Sequence, residues 1–414
     1  MNQLLLTNIG TLVVDSQGQE CLCGRDMSRL ECIHDAWLLV EDGRFKDWGI
    51  SSALPTVDYV PGSAVNCNGG TVLPCFCDSH THLVYAGSRE GEFVDKIRGL
   101  SYAEIARRGG GILNSADRLH EMSEDELYLR SMSRINEIIH KGTGAVEIKS
   151  GYGLNTDDEL KMLRVIRRIK ETAPLMVMST FLGAHAVGRG YTQEDYVRLV
   201  IEEMIPEVGR QHLADFIDVF CDQGFFTPDE TARILEAGAK WGMRPKIHGQ
   251  ELADSGGVEV AVSHHALSVD HLESMTDADI QLLCAPTIPT ALPGTSFFLN
   301  MPFAPGRKII DAGLPLAIAS DYNPGSTPSG DMKFVVALAC IKMRLMPAEA
   351  LNAATVNAAA AMGVCREYGS IARSKVANFI VTHPIPSIEF IPYAYTTPII
   401  NKVYLRGMEI RNEE

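Results

Sequence analysis

Two histidines one residue apart, His80 and His82, follow an apolar run that ends in Asp78. On an extended segment positions i and i+2 point to the same side, so both imidazoles can reach one cation. A third histidine, His248, follows Pro245-Lys246-Ile247, and a carboxylate, Asp321, follows Ala317-Ile318-Ala319-Ser320. Singly, each reads as a polar residue at a strand end. Together, three imidazoles and one carboxylate at equivalent places form a nitrogen and oxygen donor set suited to Zn2+ or Fe2+.

The elements that must position these residues are legible as a pattern. Eight apolar runs precede residue 325: Thr71–Cys77, Ala145–Lys149, Leu175–Leu182, Phe216–Cys221, Arg244–Ile247, Ala266–Val269, Leu282–Ala285 and Leu314–Ala319. Helical stretches lie between them, among them Asp157–Glu171, Thr192–Pro206, Pro228–Trp241 and Thr276–Leu283, with Asp331–Met343 as the eighth. Val197, Val200, Ile201 and Met204 show the three-and-four spacing of a buried helix face. Strands alternating with helices predict a parallel sheet, and eight repeats predict closure into a (β/α)8 barrel of the TIM type. The four candidate ligands then fall at the C-terminal ends of strands one, five and eight, the face where barrel active sites lie. Short strands with turns fill the first 65 or so residues, and strand texture returns in Ala377–Thr382 and Ile399–Leu405. The expected division is therefore 1–68 and 373–414 as the two halves of a small β-sandwich domain, with the barrel at 69–372 inserted between them.

This constellation resembles the amidohydrolase superfamily of metal-dependent hydrolases, and the surrounding stretches are similar to those of the imidazolonepropionase family. The stretches are Asp78-Ser-His-Thr-His-Leu-Val-Tyr-Ala-Gly-Ser-Arg89, Ser101-Tyr-Ala-Glu-Ile-Ala, Gly109-Gly-Gly-Ile112, Val146-Glu-Ile-Lys-Ser-Gly-Tyr-Gly-Leu154, Thr180-Phe-Leu-Gly-Ala-His-Ala-Val187 and Ser320-Asp-Tyr-Asn-Pro-Gly-Ser326. The resemblance implies hydrolysis of the ring amide of 4-imidazolone-5-propanoate to N-formimino-L-glutamate, a step of histidine degradation. It also implies one divalent ion per chain and a homodimer. Binuclear superfamily members bridge two ions with a lysine near the end of strand four, where this chain reads Phe220-Cys221-Asp222-Gln223-Gly224. A single metal, zinc or iron, is the expectation.

For that chemistry a bound cation activates water and polarises the ring carbonyl. Asp321 is the natural proton acceptor, Glu251 can carry a proton to the leaving ring nitrogen, and His271 can hydrogen-bond the carbonyl or the developing oxyanion. In a binuclear enzyme His271 would instead be a ligand. Substrate binding falls to Arg89 as a fork for the carboxylate arm, to Tyr152 and His185, and to Asn323, Gly325 and Ser326 after strand eight, with Glu251 also facing substrate. Gly109-Gly110-Gly111 lacks the residues of a phosphate loop and reads as a mobile loop over the barrel mouth. Three departures from the family pattern stand out: Gly249-Gln250 before Glu251, Gly188 in place of a proline, and Asn378 in place of an aspartate.

Composition narrows the field. A net charge of −15 over 414 residues argues against nucleic-acid and anionic-membrane partners, which require clustered Lys and Arg. A local arginine still permits a small anionic substrate. The ten cysteines lack zinc-ribbon or thioredoxin spacing, and Cys75 and Cys77 read as buried strand thiols. With no signal-like or membrane-spanning apolar run, a reduced cytoplasmic protein is expected. Two rival readings remain: a deaminase of the same superfamily, which would have no use for Arg89 as a carboxylate clamp, and a non-catalytic barrel scaffold, which would have no use for the four ligands.

Overall fold

A computed structural model describes residues 3–54, 64–100, 104, 110–283 and 286–411. Eight parallel strands follow one another around a barrel: Phe76–Asp78, Thr143–Lys149, Met176–Ala184, Phe216–Cys221, Ile247–Gly249, Ser268–His271, Ile288–Ala291 and Ala317–Ile318. The last meets the first through a parallel bridge of Thr81 with Tyr322. There Asp321 donates its backbone N–H to His80 O (3.0 Å), and His82 donates to Tyr322 O (2.9 Å). Several connecting helices start at side-chain caps. Asn155 accepts from Asp158 N, and Thr227 forms a reciprocal capping box with Glu230 ahead of Pro228.

Both termini contribute to one eight-stranded mixed sheet in which Gln3–Val14 pairs with Glu31–Glu41, Ala64–Asn66 and Thr71–Pro74. The C-terminal strands Phe379–Thr382, Ile400–Leu405 and Met408–Ile410 extend it from Thr71–Pro74. Leu6, Leu12, Leu38, Phe45, Phe379 and Tyr404 form its core, the last two with stacked rings. One predicted barrel strand, Thr71–Cys77, is thus two strands in two sheets. Cys75 N–H bonds Asn378 O (3.1 Å) in the terminal sheet, and the next residue, Phe76, bonds Gly142 O (2.9 Å) in the barrel. Asn378 pins this hand-over, donating from Nδ2 to Gly144 O (2.9 Å) and accepting from Arg406 N (2.8 Å).

Other predicted elements shift as well. The run Leu282–Ala285 is not the seventh strand: Leu282 ends a helix, Asp277–Leu282, started by a Thr276–Asp279 capping box, and the strand begins at Ile288. Cys284 and Ala285 lie outside the described residues, as do Ser101–Ala106 apart from Glu104, and Gly109. The predicted helix Thr192–Pro206 continues to Arg210, with a wide π-type turn at Val200–Met204 just ahead of Pro206. The wider turn accommodates a proline that lacks a donor and would crowd the carbonyl one turn back. Cys75 and Cys77 are buried, and every cysteine among the described residues is a free thiol. No helix among the described residues is long and apolar enough to cross a membrane.

Candidate metal and active site

The first, fifth and eighth barrel strands bring His80, His82, His248 and Asp321 to one point, all at most 2% exposed. Nε2 of His82 lies 3.2 Å from Nε2 of His80 and 3.3 Å from Nε2 of His248. Asp321 Oδ1 is 3.6 Å from His80 Nε2 and 3.5 Å from His82 Nε2. Metal–nitrogen bonds of roughly 2.0–2.1 Å in a tetrahedral site put ligand atoms about 3.3 Å apart, so these spacings match the edges of a filled site.

The tautomers agree with that fit. His80 Nδ1 faces Asp270 Oδ2 at 2.7 Å, and His248 Nδ1 faces Asp218 Oδ2 at 2.9 Å. An ionised carboxylate only accepts, so each Nδ1 carries the proton and each Nε2 presents a lone pair. Burial drives the pKa of His80 and His82 well down and that of His248 to about 4, keeping the rings neutral as ligands must be. Lone pairs aimed at one another in a dry site repel unless a cation sits between them. The cluster can therefore hold a divalent metal ion.

Around this point the backbone is bent hard. Gln250 (φ 54°), His271 (φ 87°), Leu272 (φ 74°) and Asp321 (φ 55°) all take left-handed conformations at the ends of strands five, six and eight. Such non-glycine positions are costly and concentrate at sites where side chains must be re-aimed. Thr295 Oγ1 (2.6 Å) and Ser326 Oγ (3.2 Å) donate to Asp321 Oδ2, leaving Oδ1 toward the histidines.

His271 Nε2 lies 3.6 Å from Glu251 Oε2, and its Nδ1 lies 3.6 Å from Glu273 Oε2. Burial opposes a charge on His271, but Glu251 and Glu273 outweigh it and raise the imidazole to about 10. Burial pushes Glu251 up to about 7 against the pull of His271. A carboxyl poised near neutrality next to an imidazolium can exchange protons with a bound ligand.

A cavity of about 520 Å³ opens over the cluster and is lined by all the remaining predicted site residues. At one end is Arg89, whose buried Nε and Nη1 have no hydrogen-bond partner and whose nearest carboxylate is Glu92 at 3.5 Å. A Cβ at position 325 would stand 1.1 Å from Arg89 Nη2, so only glycine leaves room for this guanidinium. Tyr152 and His185 form one wall, with ring centres 5.4 Å apart, and His185 stacks on His82 at 5.2 Å. His185 Nδ1 donates to Gly151 O at 3.0 Å, and burial lowers its pKa to about 3. The ring is therefore neutral with Nε2 free to accept.

Asn323 and Ser326 line the same cavity, but their bonds are largely spent within their own loop. Asn323 Oδ1 accepts from Gly325 N (2.7 Å) and Ser326 N (2.8 Å), while Nδ2 donates to Asp321 O (2.7 Å) and Ser326 Oγ (2.6 Å). Sequence reasoning missed Asp218, Asp270, Glu273 and Thr295. It also missed Lys96, which donates to Gly325 O at 2.9 Å from the helix Glu90–Ile97. The one signal for Asp270 and Glu273 was that they bracket His271 in the chain.

Residues 71–407 match the model of the amidohydrolase family. The chain is 51% identical over 408 residues to the imidazolonepropionase of Christiangramia forsetii, covering 98% of this chain and 99% of the relative. It is 49% identical to that of Flavobacterium psychrophilum (97% and 98% covered) and 44% identical to that of Geobacillus kaustophilus (94% and 92% covered). Guanine deaminase of E. coli superimposes with a TM-score of 0.75 at 12% identity over the whole of both chains. A zinc-bound adenosine deaminase of Xanthomonas campestris superimposes at 0.72 and 16% identity, covering 98% of this chain and 92% of that one. At such identities the two deaminases speak to the fold only. Barrel, donor cluster and near-full-length identity agree: this chain belongs to the amidohydrolase family and, within it, to the imidazolonepropionases.

Proposed function

We propose that this chain hydrolyses the ring amide of 4-imidazolone-5-propanoate to N-formimino-L-glutamate in histidine degradation, the activity its relatives' name describes. One observation carries the reading to these residues: a single cavity joins a metal-ligand cluster to a buried arginine with unpartnered N–H groups. A divalent ion held by His80, His82, His248 and Asp321 would supply an activated water and a polarised ring carbonyl.

The protein groups then have distinct tasks. Arg89 grips the propanoate carboxylate through paired N–H donors. His185 Nε2 accepts from a ring N–H, and Tyr152 closes the wall beside it. His271, flanked by Glu251 and Glu273, donates to the ring carbonyl oxygen as negative charge develops there. Asp321 accepts the proton of the attacking water. Glu251 delivers a proton to the ring nitrogen as the C–N bond breaks. Asn323 and Ser326 shape the anion end of the cavity, and Gly325 leaves space for Arg89. The reading also includes one zinc or iron ion per chain, and a cytoplasmic homodimer.

The test pairs wild type with Arg89→Ala, measuring metal content and loss of the imidazolone propanoate chromophore. Turnover by wild type, with a metal-loaded but much weaker mutant, is the expected result. A metal-loaded wild type that leaves this substrate untouched would sink the proposal.

A further inference from the structure

Beneath the ligand cluster the barrel interior is charged rather than aliphatic. Glu147 and Lys149 on strand two, Asp218 on strand four, Lys246 just before strand five and Asp270 on strand six all lie within 1% of full burial. Lys149 Nζ donates to Glu147 Oε1 (2.6 Å) and to Asp218 Oδ2 (2.8 Å), and lies 3.7 Å from Asp270 Oδ2. Lys246 pairs with Glu147 Oε2, donates to Ser79 O (3.0 Å), and is 3.8 Å from Asp270 Oδ2. Two of the three carboxylates are the partners already described: Asp218 Oδ2 seats His248 Nδ1, and Asp270 Oδ2 seats His80 Nδ1.

We infer that Lys149 is a positioning residue for the metal site, because its one ammonium ties together the two carboxylates that fix His80 and His248. This rests on reading the histidines and Asp321 as ligands of a divalent cation. Among the described residues the Lys149 ammonium bonds none of the ligand nitrogens; it reaches His248 and His80 through Asp218 and Asp270. Both carboxylate oxygens that touch the imidazoles also face this ammonium, so the two rings share one anchor although their strands lie on different parts of the barrel. Asp218 is gripped on both sides, since its Oδ1 also accepts the backbone N–H of His248 (3.1 Å).

Three buried carboxylates share two buried ammoniums beneath the cluster. Buried ion pairs rarely stabilise a fold more than well-packed apolar residues would, so stability alone does not account for a lysine here. Outer partners of metal-bound histidines typically change metal affinity by 10- to 100-fold when disturbed.

The test uses the full-length protein, stripped of metal and titrated with Co2+ against a chelator, with its visible absorption recorded. Lys149→Met keeps the length and apolar stem and removes the ammonium. The expected result is Co2+ binding weaker by 10- to 100-fold, with an altered absorption band as the histidines lose their fixed orientation. Lys375→Met is the control for general loss of a buried lysine, since the Lys375 ammonium bonds Cys365 O, Tyr368 O and Ser370 Oγ, away from the donor cluster. It lowers the melting temperature and leaves Co2+ affinity and spectrum as in wild type. Should Lys149→Met fail to fold, Lys149→Gln is read by the same criterion, because it retains a donor for Glu147 without the charge. Wild-type affinity and spectrum in the folded Lys149 variant overturn the inference. A wild-type chain that binds no Co2+ overturns the metal reading, and the inference with it.

Discussion

Replacing Gly325 by alanine tests the carboxylate clamp without touching a charged residue. The added methyl would sit 1.1 Å from Arg89 Nη2 and 2.2 Å from its Cζ, far inside contact distance, so the guanidinium must leave its seat. Position 325 has no left-handed φ, and the backbone accepts alanine unstrained. The cost is therefore the lost grip on the substrate arm. Two hydrogen bonds to a charged partner, each worth about 1.5–3 kcal/mol, give a loss of at least about 3 kcal/mol. That corresponds to roughly 100-fold in kcat/KM. The assay is a cycle of wild type, Gly325→Ala, Arg89→Ala and the double variant, on imidazolone propanoate and on the same ring without its propanoate arm. Gly325→Ala is expected to lose about two decades on the full substrate, little on the armless ring, and under twofold further in the Arg89→Ala background. An equal loss with and without Arg89 would show that the methyl acts elsewhere, and the steric argument would be refuted.

Three further outcomes follow from the site. Glu251→Gln should lower kcat by 10²- to 10⁴-fold, roughly the worth of a general acid, at unchanged metal content; loss of metal in this variant would make Glu251 a support for the ligands instead. Chelation should abolish activity and lower the melting temperature, and restoring metal at about 100 times its Kd should return about 2.7 kcal/mol; a melt indifferent to chelator contradicts the ligand set. Glu159 accepts from the N–H groups of Gly151 (3.1 Å), Gly153 (2.7 Å) and Leu154 (3.1 Å), holding the loop that carries Tyr152, and burial raises its carboxyl from 4.5 to about 7. The folded chain keeps a proton that the unfolded chain releases, so stability declines as pH rises from about 4.5 to about 7. The stability gap between wild type and Glu159→Gln should therefore narrow by up to about 3 kcal/mol between pH 5 and pH 8; a gap independent of pH would refute this.

The donor cluster was readable because its chemistry is local. His80 and His82 share a side by simple strand alternation, and His248 and Asp321 each end an apolar run. Tyr152 and His185 follow the apolar runs of strands two and three. What stayed hidden depends on pairings that no local pattern encodes. Thr71–Cys77 carries a proline, Pro74, where its first strand ends, but nothing local reveals that Cys75 and Phe76 bond to different sheets. Leu282 and Leu283 fit both the predicted helix Thr276–Leu283 and a strand start, and the structure gives Leu282 to the helix capped by Thr276. Glu147, Lys149, Asp218 and Asp270 sit among apolar strand residues as solvated positions would, yet they are buried in the barrel interior, where Lys149 pairs with Glu147 and Asp218. Asn323 carries a donor amide, but only the loop's own geometry shows that this amide is already engaged.

The seam between the first and last barrel strands bears on the order of assembly. It is made by the candidate ligand residues and Tyr322, through Asp321 N–H to His80 O and His82 N–H to Tyr322 O, and it is backed by Ser320 on Asp78, 242 residues away in the chain. Closing so long a loop carries a large entropic cost that only the finished barrel repays. On a ribosome His80 and His82 emerge long before Asp321 exists to meet them. The four-donor pocket therefore comes into being as the last strand docks, and a cation captured there would act as a latch on the completed ring. Amide hydrogens of His82 and Asp321 should accordingly exchange slowly in the metal-loaded protein and speed up on chelation, before the rest of the barrel loosens.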